Sequence, residues 1–408
     1  MQVTGSTAQA TVGAFSQSAG SVTGAGSFIV DGSFTQSAGG SIATTGTVSI
    51  TQSSGDLVVG GGVAGRAVAL QATAGHVQID RPVSTTTGTL SVNAGGAGSD
   101  AKINAALTST SGLVDVGAAR DLRIDAEVTS GSGMVALDAG RDLIARSSVT
   151  AGGPLLATVG RNLRVEDAYL QAGESVIIAT GSLDVLASGG PAGIRASSDL
   201  GILAGGPVQV RGGSTTGSHA EISNGGGDFI LAAGGITLTG GSGNQASAQI
   251  NDSPDVSLTL TGGSSLALVP GTGVDAYARV NASSPTTVYL DLRGYPPGGF
   301  SVAGVGASVY DPASGSGLFA NGIPVVRADS LLVFFNGVPE GLVTTAPPID
   351  PASLVLASIA QGGGTGGGGA SAGGSGSRTT TGGEVTDAST EEGTTILLLR
   401  PRQPALCN

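Results

Sequence analysis

Short apolar runs return along this chain at an interval of about 21 residues, the mark of a repeat architecture. Val114, Val135 and Leu156 lie 21 apart, and Leu122, Leu143, Leu163 and Leu183 lie 21, 20 and 20 apart. Leu200, Ile222, Ile236 and Val256 continue the series less regularly. Within each run the pattern has period two. In DLRIDAEV, Leu122, Ile124, Ala126 and Val128 fall on one face, and Asp121, Arg123, Asp125 and Glu127 on the other. Period two predicts half-buried strands, and the Gly, Asn, Ser and Thr between the runs supply turns. No helical period is sustained in this region.

A five-residue strand cannot bury its face alone. Stacking each coil on the next pairs every strand with its copy about 4.8 Å away and joins the aliphatics into inner columns. The predicted fold is all-β: a right-handed parallel β-helix with coils of about 20–21 residues, the hand following the crossover rule. About twelve coils between Phe28 and Leu268 would span roughly 55–60 Å. The register makes a charge prediction. Asp125, Arg146 and Glu166 stack as acid, base, acid, which is favourable between neighbouring strands. Arg123, Ile144 and Arg164 separate two cations with an aliphatic. Asp121, Asp142 and Asn162 place two carboxylates side by side, which is unfavourable.

Composition fits such a core. Glycine is abundant (73), aromatics make up 3%, tryptophan is absent, and mean hydropathy is +0.26 with 11% charged residues. The interior must therefore come from many small aliphatics. Net charge is −12 with one lysine, Lys102. Nucleic acid as a partner is excluded because no cation cluster is present to neutralise phosphates. The one cysteine, Cys407, allows no internal disulfide. No apolar segment approaches the roughly 20 residues of a membrane helix.

Texture divides the chain. Residues 1–45 read as irregular first coils, 46–270 as β-helix repeats, and 271–345 as a C-terminal capping region. This last stretch gathers prolines and four tyrosines, Tyr277, Tyr289, Tyr295 and Tyr310. Capping is favoured there over a small binding module because every solenoid needs an end. Residues 346–383 form a Pro/Ala-rich then Gly/Ser-rich linker, and 384–408 a tail.

Catalytic chemistry finds little support. Carbohydrate-cleaving β-helices need convergent carboxylates. Asp125 and Glu127 share a face but read as a solvated strand, with Asp125 paired to Arg146. Glu166 and Asp167 are adjacent, so they point apart. His76 and His219 each precede a short strand beside a turn and read as surface residues; Asp80 is only a loose partner for His76. Two histidines and one cysteine make no convincing zinc site, and GGSGNQAS at Gly240 lacks the aspartate of a calcium nonapeptide. No catalytic, cofactor-binding or metal-binding residue is assigned, and no cofactor is expected. Ser/Thr/Asn-rich stretches such as STTTGTLSVN and GGSTTGSHAEISNGGG are candidate contacts for a glycan or host protein. The insertion at Thr215 to His219 is the strongest of them.

GAARDLRIDAEV, DAGRDLIARSSV, VGRNLRVEDAYLQAG and GSLDVLASGG resemble the repeats of filamentous haemagglutinin-type exoproteins over roughly residues 46–270. The resemblance implies a right-handed parallel β-helix and a role in bacterial surface adhesion. It also implies export by two-partner secretion through an outer-membrane transporter, and a host glycan or protein receptor. The start MQVTGSTAQATVGAF has no basic and apolar signal-peptide pattern and no recognisable secretion domain follows. The chain therefore reads as a fragment, a mis-called start or a gene remnant of a secreted or cell-surface protein. A glycan-active β-helix enzyme is the alternative.

Overall fold

The computed structural model describes residues 2–3, 9–252, 255–260, 266–282 and 288–292, and five short strands between 310 and 339. The chain divides into two units, Met1–Asp350 and Pro351–Asn408. The linker and tail readings for 346–408, Cys407 included, lie outside the described residues. Among the described residues there is no helix, hence none long and apolar enough to cross a membrane.

Every coil contributes to three parallel sheets. Sheet 1 stacks Thr47–Gln52, Ala67–Ala72, Leu90–Ala94, Val114–Ala118 and Val135–Ala139, then the segment 155–159, and so on to Val288–Leu292. Sheet 2 includes Val77–Ile79, Ala101–Ile103, Leu122–Ile124 and Asp142–Ala145. Sheet 3 includes Val83–Thr85, Leu107–Ser109, Val128–Ser130 and Val149–Ala151. The result is a parallel β-solenoid of about 10 turns, slightly fewer than expected because later coils are longer.

Alternation explains the burial. In Thr47–Gln52 every second side chain is buried, and Val48 and Ile50 are 0% exposed. Leu122, Leu143, Leu163 and Leu183 are direct partners on consecutive coils, each at most 1% exposed. Each such side chain contributes about 1.5–3 kcal/mol of apolar burial. The neighbouring inward column, which runs through Val59, Ile79, Ile103 and Ile124, is preceded by a buried amide: Gln36 is the register partner of Val59, and its Nε2 donates to Gln17 Oε1 at 3.1 Å.

Three expectations need correction. Val135 stacks on Leu155, not Leu156; Leu156 pairs with Ala136 on the outer face. DLRIDAEV is not one strand but Leu122–Ile124 and Val128–Ser130 with a corner at 125–127, where Ala126 is half-buried. A coil must turn between sheets, and period two runs through the corner unmarked. Leu200, Ile222, Ile236 and Val256 do not form one column. Leu200 and Val256 belong to sheet 1, Ile236 to sheet 2 and Ile222 to sheet 3. Sheet 1 there runs from Leu200 to Phe229 and then to Val256, in longer steps than those between Val114, Val135 and Leu155.

Candidate functional site

The phrases ARDL at Ala119, GRDL at Gly140 and GRNL at Gly160, one per coil, form an electrostatic clip at the corner between sheets 1 and 2. Each arginine reaches back one coil to the preceding aspartate. Arg120 Nε donates to Asp100 at 2.7 Å, Arg141 Nε to Asp121 at 2.7 Å, and Arg161 Nε to Asp142 at 2.9 Å. A second nitrogen of each arginine binds the other carboxylate oxygen, so all three pairs are bidentate. The backbone N–H of the next aspartate also donates to each of Asp100 and Asp121, at 3.2 and 3.3 Å. The stacked aspartates are thus compensated, which corrects the expected repulsion. Their arginines hold the carboxyls of Asp100 and Asp142 below the ordinary carboxylate value. His76 caps this column. Its side chain is 48% exposed and lies 3.6 Å from Asp100, not against Asp80, which instead accepts from Gln78 and Asn104. Asp125, at the corner, takes Arg123 two residues earlier at 2.5 Å, while Arg146 takes Glu166 at 3.1 Å, so the expected Asp125–Arg146 pair is not formed. Glu127 accepts from Thr129. Asp167 turns the corner at φ 51° and accepts the N–H groups of Gly189 and Gly190.

The coils change character after Arg211. Loops inserted between sheets 2 and 3, at residues 212–219, 240–247 and 270–277, stack on one another. Gly217 N–H donates to the Asn244 carbonyl at 2.8 Å, and Gln245 N–H to the Val274 carbonyl at 2.6 Å. Gly217, Gln245 and Asp275 occupy the same step of the stack, and all three have left-handed backbone, at φ 77°, 58° and 57°. Close stacking requires glycine at Gly243 and Gly273, where a Cβ would run into the carbonyl oxygen of the loop below. The tips expose Thr215, Thr216, Asn244, Thr272 and Val274, the last 68% exposed.

These loops border the outer face of sheet 3, which carries a polar and aromatic cluster. Tyr169, Gly193, Glu221, Gln249 and Arg279 are successive register partners. Gly193 leaves room for the Tyr169 ring; a Cβ there would lie 2.8 Å from it. Arg195 stacks 4.0 Å from the Tyr169 ring centroid, donates to its hydroxyl at 3.0 Å and pairs with Glu221. Gln249 donates to the other Glu221 oxygen at 3.2 Å. His219 Nδ1 lies 3.0 Å from the Gly217 carbonyl, and its Nε2 3.4 Å from the Tyr169 hydroxyl. A proton on Nδ1 satisfies both contacts, with Nε2 accepting from the tyrosine. His219 is therefore half-buried within a network, not a free surface residue. Burial raises the Tyr169 pKa, opposed by Arg195. Arg279 repeats the stack 3.6 Å over Tyr277. Glu221 is 7% exposed and occupied on both oxygens, so it is not poised as a general acid or base. Rings, guanidinium groups and amides in this arrangement suit recognition of a hydroxyl-rich ligand.

Sequence reasoning missed one acid pair. Asp115 and Asp138 lie on neighbouring coils of sheet 1, on its outer side. Desolvation raises Asp115, while desolvation and the Asp115 charge raise Asp138 to about 6. The signal was the repeat itself: one coil on from Asp115 stands Ala136, and Asp138 is the next outward side chain of that strand. Among the described residues no three His, Cys, Asp or Glu side chains are grouped to hold a metal ion. Comparisons with family models, curated proteins and solved structures give no match.

Proposed function

We propose that the chain is an adhesive stalk segment of a bacterial surface or secreted protein of the filamentous haemagglutinin kind. In this reading the β-solenoid displays a binding face, and catalysis is not its role. Export would follow two-partner secretion through an outer-membrane transporter as part of a longer chain. The observation that supports it best is the loop stack at residues 212–277 beside the Tyr169–Arg195–Glu221 face. Insertions in a solenoid gather on one side, often the binding side, and this side presents rings and amides to a host glycan or protein.

The test is adhesion of the purified chain to host cells and to a glycan array, compared with Tyr277→Ala and Val274→Asp. Saturable binding weakened by these substitutions supports the assignment. Absence of binding, or binding indifferent to both, removes it. A second reading, a glycan-cleaving enzyme, is favoured by Asp115 and Asp138 alone. It requires hydrolysis that rises with protonation of a group near pH 6 and is abolished in Asp138→Asn.

A further inference from the structure

The outer face of sheet 2 holds two grooves. One of about 420 Å³ is lined by Lys102, Arg123 and Arg141, among others. Its neighbour of about 370 Å³ is lined by Asn162, Arg164, Ser182 and Gln209. The two share Asp142 and Ile144. Lys102, Arg123, Ile144 and Arg164 are direct register partners on consecutive coils. Donors therefore recur along the groove at multiples of about 4.8 Å.

Three features set this column apart from a solvated strand. Lys102 stacks directly on Arg123, and like charges on neighbouring strands are destabilising. Asp125 compensates Arg123, whereas Lys102 is exposed and makes no hydrogen bond or ion pair among the described residues. Arg164 Nε is buried without a hydrogen-bond partner, although Nη2 of the same side chain binds Glu166 at 3.2 Å. The aspartates that line the grooves are already held: Asp100 by Arg120, Asp121 by Arg141, Asp142 by Arg161, and Asp184, the register partner of Arg164, by Arg211. The chain carries −12 overall, yet its one lysine stands uncompensated in a groove. Local rules are broken where function requires it.

We infer that this groove binds a linear glycan bearing carboxylates, its acid groups meeting Lys102, Arg123 and Arg164 and its hydroxyls meeting Asn162, Ser182 and Gln209. An acidic peptide is the poorer occupant. The groove lies on a sheet face, not at a strand edge, so a peptide backbone would gain no ladder hydrogen bonds there. The site is separate from the sheet 3 face, and neither depends on the other.

The test uses the full chain, titrated calorimetrically at low salt with linear galacturonate oligosaccharides, neutral galactose oligosaccharides and poly-glutamate. The expected result is saturable binding of the galacturonate alone, weakened at least tenfold by Lys102→Gln and by added salt. The same substitution leaves the melting temperature unchanged or raises it, because it removes a like-charge contact; Arg164→Gln provides a second variant. Absence of galacturonate binding, equal binding of the neutral oligosaccharide or of poly-glutamate, or binding unaffected by both substitutions overturns the inference.

Discussion

The coils between Thr47 and Ala204 and those between Pro207 and Ala282 share the same three sheets, yet they join them differently. In the first set sheet 1 repeats at short intervals, from Val48 to Val68 and from Leu90 to Val114. Much of that set is clipped by Arg–Asp pairs at the corner between sheets 1 and 2. Entering the second set the interval lengthens, from Leu200 to Phe229. There that corner is made by Gly205, Gly206 and Gly234, while the corner between sheets 2 and 3 extends into stacked loops. The core columns tolerate both solutions because they require only an aliphatic at each inward position. Corners are free to vary, and the variation places surface chemistry: ion pairs on one flank, loops and rings on another.

The largest effect on this contrast is expected from Gly243→Val. Its Cβ would meet the Thr215 carbonyl within the loop stack, and overpacking of this kind costs about 1–3 kcal/mol. Hydrogen exchange should show the loss in residues 205–282 while the Arg–Asp coils keep their protection, since solenoid coils interact mainly with their neighbours. Uniform loss along the chain would erase the distinction between the two regions.

Asp138→Asn tests the clipped region by pH. Folding raises the Asp138 pKa from 3.8 to about 6, so its ionisation lowers stability as pH rises through that window. Removing the carboxylate should raise stability by about 1 kcal/mol at pH 7, allowing for its partial exposure, and by nothing at pH 3. Asp100 and Asp142 act in the opposite sense. Their carboxyls are held below 3.8, so their contribution is present above that value and is lost as pH falls through the lowered pKa. Denaturant unfolding at the two pH values, wild type against variant, separates these terms.

The smallest effect should come from Arg146→Glu, which turns the Arg146–Glu166 pair into a repulsion. With the arginine 42% exposed, the loss is about 1 kcal/mol or less and shrinks in high salt. An unchanged melting temperature at low salt would show that this outward column does not contribute to the register.

The solenoid and part of its register were legible in the sequence. Leu122, Leu143, Leu163 and Leu183 align because their coils are nearly equal in length and each leucine marks its short run. Leu155 and Leu156 could not be told apart, since either satisfies period two. Beyond Leu200 the columns were unreadable. All three sheets use the same aliphatics inward, so a change in coil length leaves no mark in composition.

The candidate site needed the fold for the same reason. Tyr169, Arg195 and the segment carrying His219 and Glu221 are far apart in the chain. They meet only because two particular coil lengths bring Tyr169 over Gly193 and Gly193 over Glu221. The GRDL phrase was visible as a repeat, but its purpose was not. The sequence places Arg141 beside Asp142, with which it does pair at 3.2 Å, and only stacking decides that it also binds Asp121 one coil back. Patterning sets which residues face inward, through a periodicity that burial enforces. Which outward side chains become neighbours is set by the length of every intervening turn, and no local pattern records that sum.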